Sequence, residues 1–196
     1  MGYAEGKQDY THRGHAQLPA GNPQAPHSLR PDRKSDMPYL PDAAVADEIG
    51  YGLRMRKLQE LSLSDESTRG ARVIRFAWLR AFGHPVVLRV DIDSDDAGQL
   101  RIKVGGGSGG KLTHDVTRPL KAAEVDTLLT LLTTGDFWNA PSKLAPLGMD
   151  GEEWILEVRE RERYHYINRW CPEDGVAFVV GHHLAMLARD DLERMC

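Results

Sequence analysis

The sequence predicts an α+β domain: one curved antiparallel sheet of about six strands with helices on one face, in the order ββββαββα, preceded by a disordered N-terminal arm. Three observations predict it. Segments 72–80, 86–92 and 100–104 carry β-branched and aromatic residues at period two, joined by turns too short for a crossover helix. A second pair of such segments, residues 152–158 and 164–170, flanks a charged tip, Glu160-Arg161-Glu162, which reads as a solvated turn. Two further stretches place apolar residues at helical spacing, one between these groups and one after them.

The elements follow in order. Residues 1–41 hold six of the eleven prolines and His12, His15 and His27, with almost no apolar periodicity, so they read as a disordered arm whose histidines are solvated rather than metal-binding. Asp42 is placed to cap a helix in which Val45, Ile49 and Leu53 recur at four-residue steps and which continues to Leu58 or Leu61, although Gly50 and Gly52 weaken it. A polar break over residues 62–70 completes a second segment, 42–70, of helix and linker. The folded domain is expected over residues 71–196.

Its first strand sets Ile74, Phe76 and Trp78 on one face, and Gly83-His84-Pro85 turns into the second. Ser94 to Gly98 mark the next turn, and a fourth, shorter strand over residues 111–116 follows a glycine run. Residues 122–133 place Val125, Leu128, Leu129 and Leu132 on one helical stripe that stops at Gly135, with Phe137 and Trp138 packing back over its end. In the last hairpin Trp154, Leu156 and Val158 share one face and Ile155, Glu157 and Arg159 the other; a two-residue tip puts His165, Ile167 and Arg169 with the first set. A single closing helix over residues 176–194 carries Val179, Val180, His183, Leu184 and Leu187.

Composition excludes several functions. A chain of 196 residues with 41% hydrophobic side chains supports one core, and a net charge of -4 with scattered Lys and Arg offers no footprint for nucleic acid. No apolar run suits a membrane or a secretory leader, and Gly6 breaks the myristoylation pattern that Met1-Gly2 begins, so the expected location is cytoplasmic. Cys171 and Cys196 lie in no CxxC pair and are expected as free thiols.

Residues 105–113 come within one residue of a phosphate-binding loop, but Leu112 stands at the metal-holding position and an extended segment follows Lys111, so a flexible connection between strands is the better reading. Gly107 and Lys111 remain ligand-binding candidates there. Gly106 to Gly110 match the letters of a nucleophile elbow around Ser108 without the strand-to-helix setting. His182 and His183 project about 100° apart on a helix, and neither they nor Cys171, His165 and His84 show a ligand spacing, so no metal and no cofactor are expected.

The hairpin supplies the site candidates. Asp150, Glu157, His165 and Arg169 are the residues with acid-base or anchoring chemistry, joined by Arg89, and Trp154, Tyr164 and Trp170 are candidate ligand contacts. The plainer explanation is a set of cross-strand ion pairs that fix register.

These residues also carry a resemblance. Trp78 to Pro85, the helix ending in Asp136-Phe137-Trp138, Gly-x-Asp-Gly-x-x-Trp-x-x-Glu at Gly148 to Glu157 and Tyr-His...Arg-Trp...Pro at Tyr164 to Pro172 resemble a group of bacterial proteins of unknown function. The resemblance covers more than half of the chain and transfers no activity. It implies that the arm and first helix lie outside the shared unit, points to Asp150, Trp154, Glu157, Tyr164, His165, Arg169 and Trp170, and sets Cys171 where a serine is expected.

The functional expectation is a non-enzymatic binding or interaction module, of immunity type if a toxin-like gene lies beside it, presenting a sheet face or the glycine loop to a protein or small ligand, with no nucleic-acid or membrane partner. The rivals are a hydrolase-like enzyme pairing Glu157 or Asp150 with His165, held by Arg169, and nucleotide binding at residues 105–111.

Overall fold

Among the described residues six strands form one sheet, all neighbours antiparallel, with the fourth, third, second, first, fifth and sixth strands of the chain lying side by side in that order. They are β1 (Arg72–Arg80), β2 (Val86–Ile92), β3 (Gly98–Gly105), β4 (Leu112–Leu120), β5 (Glu152–Glu160) and β6 (Arg163–Trp170). This computed structural model describes residues 2, 39–41, 43, 45–65, 71–107, 110–144 and 150–195. Ser35–Cys196 makes up one compact unit. Nearly all of the expected arm, the Asp42 cap, Ser108, Gly148 and Cys196 lie outside the described residues.

The first four strands form a meander because each link is a tight turn. Helix α2 (Ala122–Thr134) and a 3-10 turn over Phe137–Asn139 then return the chain across the sheet, and β5 pairs with β1 rather than with β4. Glu160 stands opposite Arg163 at the tip of the last hairpin, the two-residue turn expected from the sequence, with Arg161 in the left-handed region.

One face of the sheet is apolar by alternation. Phe76 and Leu88, Ile102, Leu156 and Ile167 from this face bury against Val125, Leu128 and Leu132 of α2 and Val176, Val180 and Leu184 of α3 (Gly175–Leu187). A Cβ at Gly181 would stand 2.7 Å from the Phe76 ring, so α3 lies this close to the sheet only with glycine there. The single closing helix of the sequence reading is divided: α3 ends at Leu187, Ala188 is fully buried, and α4 (Arg189–Met195) follows. Arg118 Nη2 donates to the Leu187 carbonyl at 2.7 Å, satisfying an acceptor that the helix end leaves open.

The opposite face is covered as well, which the sequence reading did not foresee. Val73, Ala77, Leu79, Val87 and Ile155 make it apolar in part, and α1 (Val45–Lys57) with the segment after it packs on the last four of these. The stripe expected to dock α1 is not the one that does: Ile49 and Leu53 are 54% and 49% exposed, whereas Tyr51, Met55 and Leu58 are buried. Burying each of these three is worth roughly 1.5–3 kcal/mol. Tyr39 and Leu40, placed in the arm by composition, are 6% and 1% exposed and belong to the same cluster.

Candidate functional site

Between α1 and the sheet lies a buried array of charges. Arg75 projects from the centre of β1 onto the second face, opposite Arg89 of β2 and Glu157 of β5. It grips Glu157 with two parallel bonds, Nε to Oε2 at 2.7 Å and Nη2 to Oε1 at 2.8 Å, and donates through Nη1 to the Leu61 carbonyl and to Glu60 Oε2. Glu157 also accepts the Tyr51 hydroxyl, and Tyr164 places its hydroxyl 2.9 Å from both Glu157 Oε1 and the Tyr39 carbonyl. Glu60, just past α1, receives Lys103 at 2.7 Å and Arg89 at 3.5 Å in addition to Arg75. Arg159 reaches the Leu63 carbonyl at 2.7 Å and lies over the Tyr164 ring.

The electrostatics follow from burial and pairing. Burial alone would pull Arg75 down, but Glu157 beside it, together with the Tyr51 and Glu60 oxygens, outweighs this and holds the guanidinium well above its ordinary value. Burial pushes the Tyr51 and Tyr164 hydroxyls well up, and the Glu157 charge adds to this. Burial likewise raises the Glu60 carboxyl, yet Arg75, Lys103 and Arg89 together bring it below its usual range. Both oxygens of Glu157 are engaged, so the array holds α1 and the sheet in one arrangement and neither of these oxygens is open to a substrate proton.

The candidates named from sequence are therefore separated. Glu157 stands opposite Tyr166 and shares its face with Tyr164, while His165 stands opposite Val158 on the other face, against Phe137, with its Nε2 2.8 Å from the Ala140 carbonyl. Asp150 is exposed at the entry to β5. Arg89 joins Glu60 and Asp91. Trp154 is buried between Phe76, Trp78 and Phe178, and Glu152 Oε2 accepts both its indole N-H at 3.3 Å and that of Trp78 at 2.8 Å. At the glycine loop, the Gly107 N-H donates to His84 Nδ1 at 3.1 Å, the Lys111 carbonyl accepts from Gly106, and strand β4 begins at the next residue, so no helix follows. Cys171 is exposed with φ 42°, and the Glu152 N-H lies 3.3 Å from its Sγ.

Sequence reasoning missed Arg75, Glu60, Lys103 and Tyr51. A signal for the first was present: Val73, Ala77 and Leu79 show that the second face of β1 is apolar too, and a charge set among such residues requires a buried partner.

Arg169 and Trp170 do come together, at the rim of a cavity of about 410 Å³ where β6 hands over to α3. Gly135, Ala140 and Leu144 form one wall, and Asp174 to Ala177 the other. Arg169 is half-buried; Nη1 donates to the carbonyls of Asn168 at 2.8 Å and Ser142 at 3.4 Å, and Nη2 to that of Pro141 at 2.8 Å. Among the described residues no carboxylate pairs with it, and burial pulls its pKa below the ordinary arginine value. The Trp170 ring rests on Gly151, where a Cβ would come within 2.8 Å of it. Asp174 caps α3 by position but makes no side-chain cap bond.

No group of three or more His, Cys, Asp or Glu among the described residues is placed to hold a metal ion, and no helix among them is long and apolar enough to cross a membrane. The chain matches no protein-family model and no curated protein.

Proposed function

We propose that this chain is a non-enzymatic binding module whose small ligand occupies the cavity between the end of β6 and the start of α3. The observation that carries this reading is the convergence there of Arg169 and Trp170, two residues with anchoring chemistry, on a volume of about 410 Å³, within the range of small-molecule sites. Binding is favoured over catalysis because the acid and base candidates diverge: the Glu157 oxygens hold Arg75, Tyr51 and Tyr164, and His165 leaves the sheet on the other side.

Ligand-observed NMR with a small-molecule library tests it, comparing wild type with Ala140→Phe, which fills the cavity from its wall. Compounds that bind the wild type and are lost in the filled variant, with the amide spectrum otherwise kept, support the reading. A set of binders indifferent to the substitution, or no binders at all, overturns it.

A further inference from the structure

We infer that the cavity beside β6 selects a small monocarboxylate with a flat apolar body, anchored through its carboxylate on Arg169. This rests on the binding function proposed above and adds the chemical class of the ligand.

The donor count of Arg169 carries the inference. A guanidinium has five N-H donors. Three are directed at the carbonyls of Asn168, Ser142 and Pro141, which leaves Nε-H and one N-H on Nη2 without a described acceptor. The three acceptors are neutral, so they fix the orientation of the group without cancelling its charge. A half-buried cation held in place by its own backbone, with two donors unengaged and no carboxylate partner among the described residues, is complementary to an anion that accepts two hydrogen bonds side by side. A carboxylate has that geometry.

The remaining wall sets the rest of the molecule. Trp170 contributes a ring fixed against Gly151, and its indole N-H has no described acceptor. Ala140, Val176 and Ala177 line the interior with small apolar groups suited to a flat body. Asp174 places one negative charge on the same rim, so a doubly charged phosphate meets repulsion that a monoanion largely avoids. Recognition of a negative charge thus resides in the Arg169 side chain, and discrimination against a second charge in Asp174.

Phenylacetate, inorganic phosphate and benzyl alcohol, titrated at constant ionic strength into 15N-labelled full-length protein, separate the possibilities. The expected result is a saturable shift with phenylacetate at the Trp170 indole N-H and the Gly175, Val176 and Ala177 amides. Arg169→Gln weakens this at least tenfold while its amide spectrum elsewhere matches wild type, and Asp174→Asn narrows the gap between phenylacetate and phosphate. If benzyl alcohol binds as tightly as phenylacetate, and equally well to Arg169→Gln, the cavity takes ligands without reading a carboxylate and the inference fails while the binding function stands. If none of the three perturbs these signals but other compounds bind and are lost in Ala140→Phe, the inference again fails alone. If no compound does so, both fail.

Discussion

Glu157 and His165 sit on adjacent strands, one residue out of register, and their side chains leave opposite faces of the sheet: Glu157 is paired with Tyr166, and His165 with Val158. A strand alternates faces at every residue, so no rotamer brings the two together. Glu157 instead belongs to the array around Arg75, and His165 to the packing around Phe137.

The two residues therefore differ sharply in what they stabilise. Glu157→Gln leaves Arg75 fully buried without its main counter-charge and is expected to cost about 3–5 kcal/mol. His165→Leu loses one hydrogen bond to the Ala140 carbonyl, about 1 kcal/mol. Urea denaturation of both variants checks this, and similar small losses would show that Arg75 does not depend on Glu157.

Helix α1 is part of the fold and not an appendage. A chain beginning at Ala71 lacks Tyr51, Met55, Leu58 and Glu60, leaving an apolar sheet face studded with Arg75 and Lys103. It is expected to bind a hydrophobic dye and to lose its cooperative thermal transition. A truncated chain that melts as sharply as the full one would place α1 outside the stable unit.

Glu60 gives the protein an acid-sensitive joint. Its carboxyl is set by burial, which raises it, and by Arg75, Lys103 and Arg89, which together hold it below the ordinary 4.5. A group depressed in the folded state contributes stability that is complete above its unfolded value and is lost as pH falls through its folded one. The wild-type Tm should thus drop more steeply than that of Glu60→Gln below about pH 4.5. Parallel acid limbs would refute the assignment.

His183 acts at a higher pH. Burial lowers its pKa from 6.5, Glu124 opposes this and His182 adds to it, and its Nε2 is buried with no partner among the described residues. Here the neutral form is the folded one, so its contribution is complete above pH 6.5 and declines as pH falls below that value. His183→Leu should flatten the Tm profile between about pH 6.5 and 5 and leave stability at pH 8 equal or slightly higher, since an unsatisfied buried nitrogen is removed. Thermal melts across that range decide it.

Local pattern made much of this architecture legible. Period-two runs gave β1 and β2 residue for residue, and the two-residue tip fixed the register of β5 against β6, because alternation and turn length are properties of neighbours in the chain. Strand β4 runs four residues further than expected, to Leu120, because its pairing with β3 continues through Pro119 at the sheet edge, where no further strand needs its missing N-H. The docking stripe of α1 departs from the four-residue repeat: Ile49 and Leu53 are more apolar than Tyr51, yet of these three only Tyr51 can place a hydroxyl on Glu157. Arg169 and Trp170 were identified as candidates by residue type, but the cavity they border was not, since its other walls come from the end of α2 and the start of α3.

By itself, then, the order of residues determined most of the strands, their turns, the antiparallel pairing within each hairpin and the alternation of side chains between faces, all set by contacts a few residues apart. Tertiary structure alone decided that β5 joins β1, that α1 covers the second face, that Glu157 serves Arg75 instead of His165, and that a cavity opens beside Arg169. Each of these depends on groups many residues apart becoming neighbours: a buried charge must find its counter-charge, and an apolar face its cover, wherever in the chain these happen to lie.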